Sequence, residues 1–387
     1  MKAKQNMKIE TMNLKNDLSP NAIALWLGMI VFLALSVRLY VSYFSGLANY
    51  NTDTYSYFSM ADAIMRGEPI SYFPNGYPLI VALMKIVFGE DSLVNALLIL
   101  NVVLSTLTVL LSYFIARAFL NPFLSLIACS IIAFWPNQIN YVRQLLTEVP
   151  ATFFLTLGIL LVLKLRGVLA GLVIYSAGMI RSTLSPLGIL IAGYFFWLGQ
   201  KKRAVLLIAG VMTGALLNYL LIRMGIILES SNTGGNLLLS VNKSSGDSSF
   251  FSIDNFTEEQ RAHPLLTYLK FAIENPRDFI SLRLKSLWEL WGPWPSPGDT
   301  DAPRSFIRRL LIGIRFPFLL LALAALWFYR NSSAVVVIGM PILLVTMIHV
   351  AFFSSPRFTY VVEPFLIILA VAGSHGIYMQ FSHQSTH

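Results

Sequence analysis

The chain has 387 residues, of which 56% are hydrophobic and only 12% charged. A soluble domain carries about 25% charged residues, so this composition excludes an ordinary water-soluble enzyme; its long apolar blocks indicate a polytopic membrane protein. The net charge of +9 is read as basic cytoplasmic loops and contact with anionic lipid, not as a nucleic-acid surface.

Residues 1–21 are polar, with Lys2, Lys4, Lys8 and Lys15, and read as a cytoplasmic tail. Residues 22–44 form the first span. That run is longer than the apolar core of a signal peptide, and no clean small-x-small cleavage pattern follows it. Residues 77–88 are apolar but too short to cross, which predicts a re-entrant or interfacial helix. Further spans are predicted at 91–118, 122–136, 149–165, 167–180, 184–199, 204–227, 306–329, 333–353 and 358–380. The expected architecture is all-α, with about ten transmembrane helices and both termini inside. Arg117, Lys164, Arg166, the Lys201–Lys202–Arg203 cluster and Arg330 all fall in cytoplasmic loops under that count. Four regions follow: the tail, an N-terminal transmembrane module 22–227 holding the outer loop 45–90, a long extracytoplasmic loop 228–305, and a C-terminal set of helices 306–387.

Smaller signals are read as structural. Gly210 and Gly214 form a G-x-x-x-G, which indicates close helix packing. The single Cys129 excludes an intrachain disulfide, and the scattered histidines His263, His349, His375, His383 and His387 show no metal-ligand spacing outside the tail. The glycan-acceptor patterns at Asn242 and Asn255 are read as chance matches.

The stretch from Asn49 to Pro78 carries the chemistry. Asp53 follows the first span within a few residues, so its carboxylate lies near the bilayer surface, where an acid is costly unless water, a cation or a reaction keeps it. Asp53, Tyr57 and Ala61 fall on one face of a short helix, and Met60, Ile64 and Met65 give that helix an apolar side expected to lie along the interface. Pro74 to Pro78 then forces a turn. Under the ten-span topology Asp53, Arg143, Glu148, Arg181 and Arg357 gather from separate short loops at the outer face. The positive-inside rule disfavours arginine there, and a lipid phosphate explains it, because guanidinium binds phosphate bidentately. Within 228–305, Ser230 to Ser249 reads as a mobile flap or binding loop, and helices are expected over His263–Asn275 and Pro276–Trp291. Arg283 and Lys285, near Trp288, Trp291 and Trp294, mark a headgroup interface or a lipid-donor contact.

These residues resemble the first outer loop of the GT-C superfamily of integral-membrane glycosyltransferases, in the branch of protein mannosyltransferase-like enzymes and the aminoarabinose transferase of lipid A. The matching features are Asp53, Tyr57, Ala61 to Ala63, Gly67, Gly76–Tyr77–Pro78, Phe88–Gly89 and the helix ending Ala116–Arg117–Ala118–Phe119. Where the family often has two adjacent acids, this chain has Thr52–Asp53–Thr54. Glu148 at the start of a helix, Arg181 after one, and Pro356–Arg357–Phe358 followed by Glu363–Pro364 also match.

The resemblance implies a transferase of the cell envelope, expected in a bacterial plasma membrane with its active site outside. It would move a hexose or pentose from a polyprenyl-phosphate donor to a hydroxyl of a glycan, lipid or protein acceptor, with inversion. Asp53 would be the base and Glu148 a supporting acid. Arg143, Arg181, Arg357, Arg283 and Lys285 would bind the lipid phosphate, and Tyr57 and Tyr77 would line the substrate. No metal or other cofactor is expected, because Asp53 and Glu148 belong to no Asp-x-Asp and the one such triplet, Asp299–Thr300–Asp301, lies in the long loop; the family holds both metal-dependent and metal-independent members. The alternative is a transporter or flippase of lipid-linked sugars, which would need inverted repeats and mid-membrane polar groups.

Overall fold

The computed structural model describes residues 19–44, 52–70, 72–229, 233–242, 256–293 and 313–384, and among them every regular element is helical. The helices are α1 (Pro20–Phe44), α2 (Thr52–Met65), α3 (Gly76–Phe88), α4 (Leu93–Ala116), α5 (Pro122–Ala133), α6 (Pro136–Asn140), α7 (Glu148–Leu163), α8 (Gly167–Ile180) and α9 (Leu187–Trp197). They continue with α10 (Lys201–Arg223), α11 (Thr233–Val241), α12 (Glu258–Ala262), α13 (Pro264–Glu274), α14 (Pro276–Trp291), α15 (Arg315–Phe328), α16 (Ser333–Ala351) and α17 (Glu363–Gln384).

Helix length decides the spans. Crossing an apolar layer of about 30 Å takes about 20 helical residues at 1.5 Å each. Five elements qualify among the described residues: α1, α4, α10, α16, and the run Pro356–Ser382 that includes α17. Two short pieces, Pro122–Ala133 and Pro136–Arg143, make a sixth if counted as one bent span. The expected ten spans are therefore not reached by length. Helices α7, α8 and α15 and the stretch Ser182–Trp197 are apolar but shorter; the Lys164–Arg166 turn ends α7, and the Arg181 break separates α8 from Ser182–Trp197. The helix expected over 122–136 ends at Ala133, and the chain turns by 51° into Pro136–Arg143. Pro136 lacks a donor, and Trp135 before it is forced to an extended conformation (φ −66°, ψ 122°).

The core is built around α17, whose residues Phe365 to Ala372 are all buried. It packs on α15, α16, α4 and α5, while α7, α8, α9 and α10 form a second group joined through α4. Helices α1 and α10 instead present Leu25, Trp26, Phe32, Val205, Met212 and Leu216 outward, as lipid-facing helices must. The glycine reading holds. A Cβ at Gly171 or Gly210 would collide with the backbone of the facing helix, so α8 and α10 cross at backbone contact.

The bend after α5 positions the site. Arg38, fully buried on α1, donates to the carbonyl of Ala133 at the open end of α5 (2.9 Å) and to Ser105 Oγ (2.7 Å). A cation at a helix C-terminus satisfies carbonyls that have no partner in the helix and meets the negative end of its dipole. Ser105 Oγ in turn donates to Gln138 O (3.2 Å), and Asn101 Nδ2 to Gln144 O (2.9 Å). Side chains of α1 and α4 thus hold residues 134–147 in the turn that leads to Glu148.

The long loop differs from expectation in one respect. Within Ser230–Ser249, residues 233–241 are helix α11; the rest of that stretch, apart from Asn242, lies outside the described residues, as does Trp294. The two predicted helices appear as α13 and α14. Helix α14 runs down beside α16: Arg283 meets the carbonyl of Ala351, and one and a half turns deeper Trp291 Nε1 donates to Thr346 Oγ1 (3.0 Å).

Candidate active site

Four charged side chains from distant parts of the chain meet at one end of the bundle. Asp53 lies in the first turn of α2 and Glu148 in the first turn of α7, where the positive end of the helix dipole favours a carboxylate. Arg181 follows the last residue of α8, in extended conformation (φ −140°, ψ 104°). Arg357 lies in the 3-10 segment Pro356–Val362 ahead of α17. Arg357 Nη2 is 2.7 Å from Asp53 Oδ2, and its Nε is 3.8 Å from Glu148 Oε1. Arg181 Nη1 reaches the same Glu148 oxygen at 3.2 Å. The four residues share one patch, so the ends of the elements carrying them lie on one side.

The surroundings fix this geometry. Thr54 Oγ1 donates to Leu145 O (3.3 Å), tying the start of α2 to the segment before Glu148. Gly76 packs on the end of α8: a Cβ there would lie 2.6 Å from Ile180 N and Met179 C. Only glycine lets the Asn75–Pro78 turn rest on the backbone just before Arg181. Tyr77 is thereby sealed against Tyr57, ring centroids 5.0 Å apart at 83°. The Phe358 ring carries the arginines, with Arg181 Cζ at 5.0 Å and Arg357 Cζ at 5.4 Å. His349 stacks on Phe358 at 4.2 Å, and its Nδ1 lies 3.0 Å from Phe353 O.

Below this layer a second polar set holds the 3-10 segment. Arg315 donates to Pro356 O (2.6 Å) and to Thr359 Oγ1. Glu363, fully buried, accepts from Asn137 Nδ2 (2.7 Å) and Gln138 Nε2 (3.2 Å). The segments carrying Glu148 and Arg357 are thus pinned to each other.

The two carboxylates differ in access. The side chain of Asp53 is 24% exposed and that of Glu148 2%. Asp53 is open to an incoming group and Glu148 is enclosed. Burial, then the charges of Glu148 and Asp53, push the Tyr57 phenol well above its ordinary range, so Tyr57 stays a neutral hydroxyl.

No family model and no curated protein sequence matches the chain. Solved structures do. The oligosaccharyltransferase of Archaeoglobus fulgidus in its apo form superposes with a TM-score of 0.58 at 14% identity over 95% of this chain. The chain shares the fold of this archaeal oligosaccharyltransferase. The same archaeal protein with an inhibitory peptide and a dolichol-phosphate gives 0.55 at 13% identity over 93% of the chain, and with Zn and sulfate 0.55 at 12% over 92%. The chain spans about half the length of these structures, 52%, 51% and 49% respectively.

On this fold the sequence-predicted residues separate into two groups. Asp53, Glu148, Arg181 and Arg357 come together, with Tyr57 and Tyr77 beside them. Arg181 pairs with Glu148 and Arg357 approaches it, whereas Arg143 is half-exposed and its Nε donates to Asn140 Oδ1 (3.0 Å). Arg283 serves a different purpose. It donates to the carbonyls of Ala351, Phe352 and Ser240 and stacks over Phe279 (5.1 Å). Lys285 lies 3.9 Å from Glu289 one turn on, an ion pair within α14. The apolar side expected on α2 also shifts. Tyr57, Met60 and Ala61 face the protein, and Met65 is exposed. Sequence reasoning gave no site role to His349 or to Thr147, whose hydroxyl accepts from Arg181 Nη1 (3.4 Å), and in the second layer it singled out only Glu363.

Proposed function

We propose that the chain is a GT-C glycosyltransferase that moves a sugar from a polyprenyl-phosphate donor to the hydroxyl of an extracytoplasmic acceptor, with inversion. The observation that carries this reading is the juxtaposition of Asp53, Glu148, Arg181 and Arg357 at one end of a GT-C fold. The dolichol-phosphate and peptide described with the archaeal oligosaccharyltransferase support a lipid phosphate as donor and make a peptide one acceptor to test.

Asp53, the accessible acid, takes the proton of the acceptor hydroxyl as its oxygen attacks the anomeric carbon; the bond from that carbon to the phosphate oxygen breaks. Arg181 and Arg357 neutralise the charge that grows on the departing phosphate. Glu148 holds the two guanidinium groups in register. The exposed faces of α13 and α14, with Leu269, Ile273, Leu284 and Trp288, rest in the headgroup layer. Arg283 is assigned to anchoring that loop.

The test is turnover by the purified full chain with a panel of polyprenyl-phosphate sugars and an acceptor extract. Sugar transfer from at least one donor is expected, with loss in Asp53→Asn. No product from any donor would overturn the reading in favour of transport of lipid-linked sugars.

A further inference from the structure

Two carboxylates that converge on one point repel each other, and such a pair is ordinarily relieved by sharing a proton or by binding a divalent cation through hard oxygen ligands. Here a side chain does it. Arg357 lies between the two acids, 2.7 Å from Asp53 Oδ2 and 3.8 Å from Glu148 Oε1, and Arg181 approaches the second from 3.2 Å. Two negative and two positive charges close the site at zero. Among the described residues no group of three or more His, Cys, Asp or Glu is placed to hold a metal ion. The oxygens that would bind a cation face guanidinium nitrogens, and a second cation would meet two fixed positive charges.

The position of Arg357 is not incidental to packing. Its segment is fixed by Arg315 through Pro356 O and Thr359 Oγ1, and its guanidinium lies over Phe358, which is itself backed by His349. Unlike a metal ion, a guanidinium cannot dissociate, and it stays charged throughout the accessible pH range.

We propose that Arg357 takes the place of a divalent cation between Asp53 and Glu148, so that the protein works without metal, and that removing its side chain converts the two acids into a divalent-cation site. The proposal rests on reading these residues as the active site, but its binding half does not depend on turnover.

The probe is Mn²⁺, titrated into the purified full chain in detergent and followed by the loss of the free-ion electron paramagnetic resonance signal. Wild type should bind no Mn²⁺ at this site. Arg357→Ala should bind about one ion per chain, at least about tenfold tighter than wild type, because a repelling charge within a few ångströms is gone. Arg357→Lys keeps the charge and should not bind. The double variant Asp53→Asn, Arg357→Ala should lose what Arg357→Ala gained. Wild-type sugar transfer should be unchanged by a chelator. Wild-type Mn²⁺ binding that vanishes in Asp53→Asn, or chelator-sensitive turnover, would overturn the proposal. So would a folded Arg357→Ala that binds no more Mn²⁺ than wild type. If Arg357→Ala does not fold, Arg357→Gln is read in its place by the same criteria. A chain that transfers no sugar would refute the enzymatic reading and leave the Mn²⁺ titration to decide this one.

Discussion

Glu148→Gln and Asp53→Asn each remove one negative charge from the same cluster, and the structure assigns them opposite consequences. The Glu148 and Arg181 side chains are 2% and 10% exposed. Removing one partner of a buried pair costs about 3–5 kcal/mol, because the other charge is left without compensation. Glutamine keeps an acceptor for Arg181, so the expected loss is at the lower end, about 3 kcal/mol. The Asp53 and Arg357 side chains are 24% and 37% exposed, and water screens that pair. Its loss should cost no more than about 1 kcal/mol. Turnover should rank the other way. Loss of a positioned base slows reaction about 10²–10⁴-fold, equivalent to about 3–5 kcal/mol of barrier, so Asp53→Asn should fold normally and turn over poorly. The paired assay is unfolding in mixed micelles with increasing SDS, beside sugar transfer from the lipid donor at saturating concentration. A Glu148→Gln protein as stable as wild type would refute the enclosed ion pair. Near-normal turnover in Asp53→Asn would remove the base.

Arg181→Ala and Arg357→Ala should weaken use of the lipid donor more than use of the acceptor, and lysine should restore part of it; glutamine performing as well as lysine would exclude phosphate binding. Gly76→Ala should destabilise the protein by about 1–3 kcal/mol, read in the same SDS titration, because its Cβ meets the backbone of Met179 and Ile180. Arg283→Ala should leave donor binding intact but expose the 228–305 loop to limited proteolysis, since the carbonyls of Ala351, Phe352 and Ser240 lose their donor. Cysteine labelling at Ser245 and Ser332 should report opposite sides of the membrane; labelling of both from one side would refute the assigned topology.

Much of the site was legible because its chemistry breaks local rules. An acid just past an apolar run, and arginines in loops where the positive-inside rule disfavours them, stand out against 56% hydrophobic residues. Asp53, Glu148, Arg181 and Arg357 were found that way. Their pairing was not legible, since Asp53 and Arg357 are 304 positions apart and nothing local links them. Arg283 misled for a related reason. An arginine beside tryptophans looks the same in sequence whether it meets phosphate or the free carbonyls at the end of a neighbouring helix. The span count misled too, because hydropathy registers apolar length but not where a helix stops. Pro136 and the Arg181 break divide apolar runs into shorter helices. The second polar layer was hidden because Asn137, Gln138 and Glu363 gain meaning only when α6 lies against the start of α17.

The side chain of Arg38 has a consequence for how the protein is made. It is on α1, yet its partners Ser105 and Ala133 come 67 and 95 residues later. At about 5–20 residues per second, ribosomes need about 5–20 s to deliver the second of them. Until then the protein partner of Arg38 is the Ala34 carbonyl one turn back on α1 (3.1 Å), and the rest of the guanidinium must stay hydrated by reaching for the headgroups. The contacts that fix α1 are therefore complete only once α4 and the end of α5 have been made.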